Sequence, residues 1–224
     1  MKNYAVILAS GSGSRMGSDI PKQFLKIKDK TILEYSIEAF ELSKSIDYIV
    51  LVITSEYKAM AEKIISENNY KKVSKVLCGG KERKDSSFIG INSIEETEAN
   101  VLIHDCARPL VSQNIIENCI KALEANNAVC TAIPSSDTIL EVQNGTIKNI
   151  PDRKTLMRAQ TPQGFKLSLI KKAHELSKND VEFTDDCGLV IKHNLSDIAI
   201  VEGSQENIKI TYPNDISFAN CIIG

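Results

Sequence analysis

The sequence has no apolar run that approaches the length of a membrane span, and its first residues pass straight into a strand-like segment with no signal-peptide core. A cytoplasmic protein that neither enters nor coats a membrane is therefore expected. Histidine is scarce: the three residues His104, His174 and His193 include no metal-type pair, which argues against a zinc enzyme. The six cysteines (Cys78, Cys106, Cys119, Cys130, Cys187 and Cys221) lack a C-x-x-C pair and lie mostly in apolar surroundings. They read as reduced core thiols rather than disulfides or zinc ligands. Charge of either sign is not in excess, since 27 Lys and Arg face 29 Asp and Glu for a net charge of −2. No broad basic face for nucleic acid is expected, although a local phosphate pocket remains compatible. Repeats, low-complexity tracts and interdomain linkers are absent, so the 224 residues are read as one domain over 1–224.

What is present begins with Tyr4–Leu8, a short apolar run that empties into Ala9-Ser10-Gly11-Ser12-Gly13-Ser14-Arg15-Met16-Gly17, with Pro21-Lys22-Gln23 shortly after. Small residues let backbone N–H groups approach an anion closely, and Arg15 and Lys22 add positive charge where a polyphosphate would lie. The loop is not a Walker motif, because no Gly-Lys-Ser/Thr follows its glycines. Nor is it the dinucleotide fingerprint, because Met16 stands where that pattern wants Gly or Ala. An ordinary flexible loop between strand and helix is the bland alternative.

Apolar spacing then predicts a helix after the capping pair Thr31-x-x-Glu34, a buried strand over 47–53, and a helix from Ser55 with Met60, Ile64 and Ile65 inward. A third strand over 73–77 ends at a second polar loop, Gly79 to Ser87, followed by a helix through Phe88, Ile91 and Ile94. The fourth strand, 101–104, runs into Asp105-Cys106-Ala107-Arg108-Pro109, and Ser112 caps the next helix. A further strand covers 128–133. This alternation predicts an α/β fold with a mostly parallel sheet, helices on both faces, and ligands beyond the carboxyl ends of the strands. Gln143-Asn144-Gly145 between two polar extended runs predicts a projecting β-hairpin within 134–155, for which a dimer partner is the natural cover. Thr161-Pro162-Gln163 and Thr184-Asp185-Asp186 read as polar marks around helix starts, 198–201 and 208–211 as short strands, and Asp215 as a cap of the last helix or a second metal carboxylate.

Asp105, at the tip of a buried strand, is placed to hold Mg²⁺ or a ribose hydroxyl, with helix capping or an ion pair as the plainer alternatives. Arg108 suits a second phosphate, or else a salt bridge. Lys209 alternates with isoleucines and by itself reads as a solvated strand lysine. No Ser/His/Asp or Cys/His pair suggests a nucleophile, so the inventory favours an enzyme that clamps charge, as nucleotidyl transfer requires.

Taken in order, Gly11-x-Gly13-x-Arg15-Met16-Gly17, Pro21-Lys22-Gln23, Gly79-Gly80-x-x-Arg83-x-x-Ser86 and His104-Asp105-x-x-Arg108-Pro109 are followed by Asp137-Thr138 and Asp152-Arg153. Gln160-Thr161-Pro162-Gln163, Thr184-Asp185 and Val201-Glu202-Gly203 with Asn207-Ile208-Lys209 complete the set. Together, over about 4–222, they resemble the CTP-dependent cytidylyltransferases acting on small polyol phosphates, which include the 2-C-methyl-D-erythritol 4-phosphate and ribitol-5-phosphate enzymes. The resemblance implies a Rossmann-like nucleotidyltransferase fold, Mg²⁺ as cofactor, and a homodimer joined through the 134–155 arm. It implies catalytic roles for Arg15, Lys22 and Lys209, and CTP binding by Leu8, Ala9, Ser10, Gly11, Gly13, Gly80, Lys81, Arg83, Ser86, Asp105 and Cys106. Asp105 would also serve the metal, while Arg108, Thr161 and Thr184, with Thr138 and Arg153 from the partner's arm, would hold the acceptor.

The acceptor signals divide. Ala107 and Thr184-Asp185-Asp186 look like the methylerythritol branch of isoprenoid precursor synthesis. Asn149-Ile150-Pro151-Asp152-Arg153 and Cys187 look like the ribitol branch, which makes CDP-ribitol for cell-surface polymers. Leu140-Glu141 and Cys106 depart from the methylerythritol pattern, which commonly has a basic residue and Ala there. Methylerythritol phosphate is placed first, as the substrate of the commoner member. The rivals are a catalytically silent nucleotide-binding module and a sugar-phosphate nucleotidyltransferase using UTP or GTP.

Overall fold

The structure, a computed structural model, describes residues 1–11, 16–17, 20–178 and 183–223. Gly13 and Arg15, assigned to the nucleotide loop above, lie outside the described residues.

β1 (Lys2–Ala9) is the central organiser because its apolar residues are continuous, so both its faces need cover. A short β2 (Lys26–Ile27) and β3 (Lys30–Thr31) form a small ladder before α1 (Ile32–Glu41). The predicted capping box is present, with the Thr31 side chain accepting from the Glu34 N–H and Glu34 reaching back to the Thr31 N–H. β4 (Tyr48–Ile53), α2 (Lys58–Glu67), β5 (Val73–Cys78), α3 (Arg83–Asn92), β6 (Ala99–Asp105), α4 (Gln113–Ala122) and β7 (Ala128–Pro134) continue the alternation. The hairpin β8 (Glu141–Gln143) and β9 (Thr146–Asn149) follows, then β10 (Met157–Lys166), α5 (Leu167–Leu176), α6 (Asp186–Lys192), β11 (Ala199–Glu202) and α7 (Pro213–Ile223).

Seven strands form one sheet in the order β11-β7-β10-β6-β1-β4-β5, parallel except for β10. Alternation along β1 divides the core. Ala5, Ile7 and Ala9 pack with Ile32, Leu33, Ile37 and Phe40 of α1 and with Ile115 and Ile116 of α4. Tyr4, Val6 and Leu8 pack with Ile91 of α3, Ile170 of α5 and Val190 of α6 on the other face. Each fully buried Ile, Leu or Phe contributes roughly 1.5–3 kcal/mol, so these two layers carry the stability and hold the strand ends still. All six cysteines are free thiols, four of them buried. No helix among the described residues is long and apolar enough to cross a membrane.

Four expectations are corrected. Met60 is exposed, and Ala61, with Ile64 and Ile65, faces the sheet instead, because α2 begins at Lys58 after a single 3₁₀ turn. The second polar loop is mostly helix: α3 starts at Arg83, with Glu82 and Asp85 satisfying its free N–H groups. Thr161-Pro162-Gln163 lies inside β10, not at a helix start; Pro162 cannot donate to a ladder, and it sits where the pairing with β7 shifts register between Ala159 and Gln163. The 208–211 segment forms no strand, since Ile210 N–H is taken by the Ala107 carbonyl at 2.7 Å rather than by a neighbouring strand.

The hairpin is as expected. Asn144 and Gly145 take φ of 51° and 72°, the paired positive values that a tight two-residue hairpin turn needs. Residues 136–150 are exposed throughout.

Candidate active site

Parallel ladders bring three loops to one edge. Leu8 of β1 is in register with Val52 of β4 and with Asp105 of β6. The pairing continues into the loops, with Cys106 N–H donating to the Leu8 carbonyl at 3.0 Å and Gly79 N–H to the Ile53 carbonyl at 2.8 Å. A pocket of about 400 Å³ opens there. Its floor is Leu8, Ala9, Ser10 and Gly11, one wall is Gly80, Lys81, Glu82 and Arg83, and the other wall is Asp105, Cys106 and Ala107. Lys22, Gln23, Ile32, Lys209 and Thr211 close it.

The two glycines of the second loop are dictated by space. A Cβ on Gly79 would stand 2.6 Å from the Ser10 Cβ, and one on Gly80 would stand 2.3 Å from the Asp85 Cβ. The Ser10 and Ser86 hydroxyls meet at 2.7 Å, and Gly80 N–H donates to the Ser86 Oγ at 3.2 Å. Buried Ser86 thus fastens the first loop to the second behind the pocket surface rather than lining it.

Asp105 is the centre of charge. Arg83 Nε donates to its Oδ1 at 2.9 Å and Lys209 Nζ to its Oδ2 at 2.7 Å. Burial alone would raise its pKa, but Arg83 and Lys209 outweigh that and hold the carboxyl well below the usual range. Lys209 is therefore no solvated strand lysine: the 207–211 segment is tied down around it. Asn207 Nδ2 donates to the Gln160 Oε1 at 3.1 Å and to the Thr161 carbonyl at 2.9 Å, and Lys22 Nζ donates to the Ile210 carbonyl at 3.1 Å.

Behind Asp105, the Thr161 Oγ1 accepts from Asp105 N–H at 3.0 Å and lies 3.1 Å from His104 Nδ1. His104 Nε2 is 3.1 Å from the Arg108 carbonyl, which can only accept, so Nε2 carries the proton and Nδ1 accepts from Thr161. Burial lowers the His104 pKa to about 4, which keeps this tautomer neutral at physiological pH. Cys106 is no nucleophile, since burial pushes its thiol up to about 12.

The pocket accordingly gathers Leu8, Ala9, Ser10, Gly11, Lys22, Gly80, Lys81, Arg83, Asp105, Cys106 and Lys209 of the residues singled out from sequence. Thr161 sits behind the wall, its hydroxyl engaged by Asp105 and His104. Arg108 donates from Nη1 to the Asn207 carbonyl at 2.8 Å and from Nη2 to the Ala159 carbonyl at 3.3 Å, outside the pocket lining. Thr184, Thr138 and Arg153 are exposed and apart from it, and Arg153 Nη1 donates to the Ser136 carbonyl at 3.1 Å. Asp215 caps α7, accepting from the Thr211 and Tyr212 N–H groups at 2.7 and 2.8 Å.

Sequence reasoning missed the buried partner of Arg83. Nη1 donates to Asp186 Oδ2 at 2.7 Å, where burial raises the carboxyl pKa but Arg83, His174 and Ser87 together outweigh it, leaving about 2. The Thr184-Asp185-Asp186 motif carried that signal, but Asp186 lies 103 residues from Arg83 and only the fold joins them. Among the described residues no three His, Cys, Asp or Glu side chains cluster as a metal site. Asp105 offers a hard cation one carboxylate, which suits Mg²⁺ arriving with a triphosphate better than a permanent all-protein site.

The family model described as IspD: 2-C-methyl-D-erythritol 4-phosphate cytidylyltransferase matches residues 4–224. A Thermobifida fusca protein named 2-C-methyl-D-erythritol 4-phosphate cytidylyltransferase is 40% identical over 98% of this chain and 92% of its own. The Haemophilus influenzae bifunctional ribulose 5-phosphate reductase/CDP-ribitol pyrophosphorylase Bcs1 is 42% identical over 98% of this chain, which spans 48% of that longer protein. The crystal structure of 4-diphosphocytidyl-2C-methyl-D-erythritol synthase from Anaerococcus prevotii superposes with a TM-score of 0.87 at 30% identity, covering 99% of this chain and 96% of that one. The chain belongs to the 2-C-methyl-D-erythritol 4-phosphate cytidylyltransferase family.

Proposed function

We propose that this chain transfers CMP from CTP to 2-C-methyl-D-erythritol 4-phosphate, releasing pyrophosphate, in the pocket at the carboxyl ends of β1, β5 and β6. The observation that carries the proposal is the convergence of Lys22, Lys81, Arg83 and Lys209 on one pocket with the backbone of Ala9–Gly11 and Gly80. A pocket of about 400 Å³ suits a nucleotide-sized ligand.

An acceptor phosphate oxygen attacks the α-phosphorus of CTP; that P–O bond forms as the bond to the bridging oxygen of the β-phosphate breaks, and pyrophosphate leaves with the electron pair. No protein nucleophile or proton transfer is needed, so catalysis rests on placement and charge. Lys22 and the family motif residue Arg15 hold the triphosphate and the charge developing at the α-phosphate. Ala9, Ser10, Gly11, Gly80 and Lys81 hold the cytosine and ribose, with Ser86 supporting the loops. Lys209 leaves Asp105 for a phosphate oxygen, and Asp105 would hold Mg²⁺, which when bound would neutralise phosphate charge. Arg108 and Thr184 face the acceptor once it binds.

The protein works as a homodimer in the cytoplasm, where its buried thiols stay reduced. Exposed Ile139, Leu140, Val142, Ile147 and Ile150 on the 134–155 arm support docking on a second copy, bringing Thr138 and Arg153 to the other site. Ribitol 5-phosphate is the second reading, favoured by the 42% identity to the Haemophilus influenzae protein. Pyrophosphate release with CTP, Mg²⁺ and each acceptor separately tests both. A higher kcat/KM for methylerythritol phosphate is expected; a preference for ribitol 5-phosphate would reassign the acceptor, and no release with either would refute transfer.

A further inference from the structure

Arg83 does not reach Asp105 as a free side chain. Its guanidinium is stretched between two carboxylates, Asp105 at the pocket (Nε–Oδ1 2.9 Å) and Asp186 at the start of α6 (Nη1–Oδ2 2.7 Å). Asp186 is itself almost wholly enclosed, and its other oxygen is held twice: Ser87 Oγ donates to Oδ1 at 2.5 Å, and His174 Nε2 lies 3.1 Å away. Its backbone is also fixed, since Asp186 N–H donates to Gln163 Oε1 at 3.1 Å and Cys187 N–H to the same oxygen at 3.3 Å.

Gln163 belongs to β10, and so does Thr161, whose hydroxyl accepts the Asp105 N–H at 3.0 Å. The contacts therefore close a ring from Asp105 through Arg83 to Asp186, from there to Gln163 on β10, and through Thr161 back to the Asp105 backbone. An isolated arginine on a carboxylate can pivot; one whose second fork is locked to a buried, triply held carboxylate cannot. Breaking such a buried ion pair leaves an uncompensated charge, so the pair's main product is a fixed direction rather than net stability.

We propose that Asp186 is a positioning residue for nucleotidyl transfer: through Arg83 it sets the orientation of Asp105 and hence the point at which Lys209 waits. The inference rests on the cytidylyltransferase reading for its kinetic consequence but not for its structural one. It also couples the start of α6, next to Thr184, to the nucleotide wall at Arg83.

Two readouts test it in the full-length protein. The first is the ¹⁵N–¹H correlation of the Arg83 Nε, assigned by its loss in Arg83→Lys; it should exchange slowly in the parent and broaden or vanish in Asp186→Asn. The second is kcat with CTP and the better polyol phosphate. Asp186→Asn should lower kcat about tenfold or more while KM for CTP changes less than about threefold, because an ångström of misplacement acts on the transition state. In an Arg83→Lys background the same substitution should cost less than about twofold, since both act through one contact. Equal losses in both backgrounds, or an unchanged Arg83 signal in Asp186→Asn, would overturn the proposal. If Asp186→Asn does not fold, Ser87→Ala, which removes one of the two groups that hold Asp186 Oδ1, is read in the same two ways. A parent protein with a slow Arg83 signal and no transfer to any polyol phosphate would refute the activity and leave the positioning to the resonance test.

Discussion

Replacing Asp105 by Asn probes how the charge cluster at the end of β6 is held. Asn matches Asp in shape, so packing is preserved and the loss is electrostatic. Its carbonyl still accepts from Arg83 Nε, but its amide then faces the Lys209 ammonium, donor against donor. Lys209 has a side-chain exposure of 40%, so it swings into solvent and its pair with Asp105 contributes at most about 1 kcal/mol. Arg83 cannot leave, being mostly buried, and keeps Asp186 as its counter-charge. Weakening one charge-assisted hydrogen bond costs about 1.5–3 kcal/mol. The sum is about 1.5–4 kcal/mol, a fall of about 3–16 °C in Tm for a chain of this size. Urea unfolding followed by circular dichroism, with a thermal scan, measures both. The double variant with Asp186→Asn strips Arg83 of every buried counter-charge and should lose more than the sum of the two singles. A change below about 0.5 kcal/mol in Asp105→Asn, or strict additivity in the double variant, would refute the linked cluster.

Three further outcomes follow from the same geometry. Lys22→Ala should reduce kcat by about 10²–10³, the usual effect of deleting one charge-stabilising group, with Tm nearly unchanged; pyrophosphate release and circular dichroism check this. Gly80→Ala places a Cβ 2.3 Å from that of Asp85, so the first turn of α3 must move and KM for CTP should rise several-fold in steady-state kinetics. Acid should destabilise in two windows. His104 has a folded pKa of about 4 against 6.5 for the free side chain, so the stability of its neutral form is complete above 6.5 and is lost as pH falls towards 4. Asp186, depressed to about 2, contributes stability above its ordinary pKa of 3.8 that is lost as pH falls towards 2. Urea unfolding free energies from pH 7 to 2 should therefore decline throughout, and a stability that rises on acidification would contradict both assignments.

Elements whose signals are local were legible in the sequence. β1 announced itself by continuous apolar residues, α1 by the reciprocal Thr31 and Glu34 cap, and the hairpin by Asn144-Gly145. Elements whose form depends on distant partners were not. Residues 208–211 carry alternating isoleucines because Ile210 packs in the core and its N–H bonds Ala107, not because a strand runs there. Thr161-Pro162-Gln163 was misplaced because its polar character answers to Asp105, Thr131 and Asp186 across the fold, while β10 itself has little apolar alternation. The pocket residues followed a simple rule, that loops after parallel strands face the ligand. The ring behind them, Arg83 to Asp186 to Gln163, has no spacing to betray it, since its members come from α3, α6 and β10.

The central claim is that the pocket beyond β1, β5 and β6 joins CMP to a polyol phosphate. ³¹P nuclear magnetic resonance of the protein with CTP, Mg²⁺ and 2-C-methyl-D-erythritol 4-phosphate tests it most directly. The account predicts that the triphosphate and monoester resonances disappear together as a diphosphate diester and free pyrophosphate grow in equal amounts. Unchanged CTP, or its conversion to CDP and inorganic phosphate with the acceptor untouched, would contradict it.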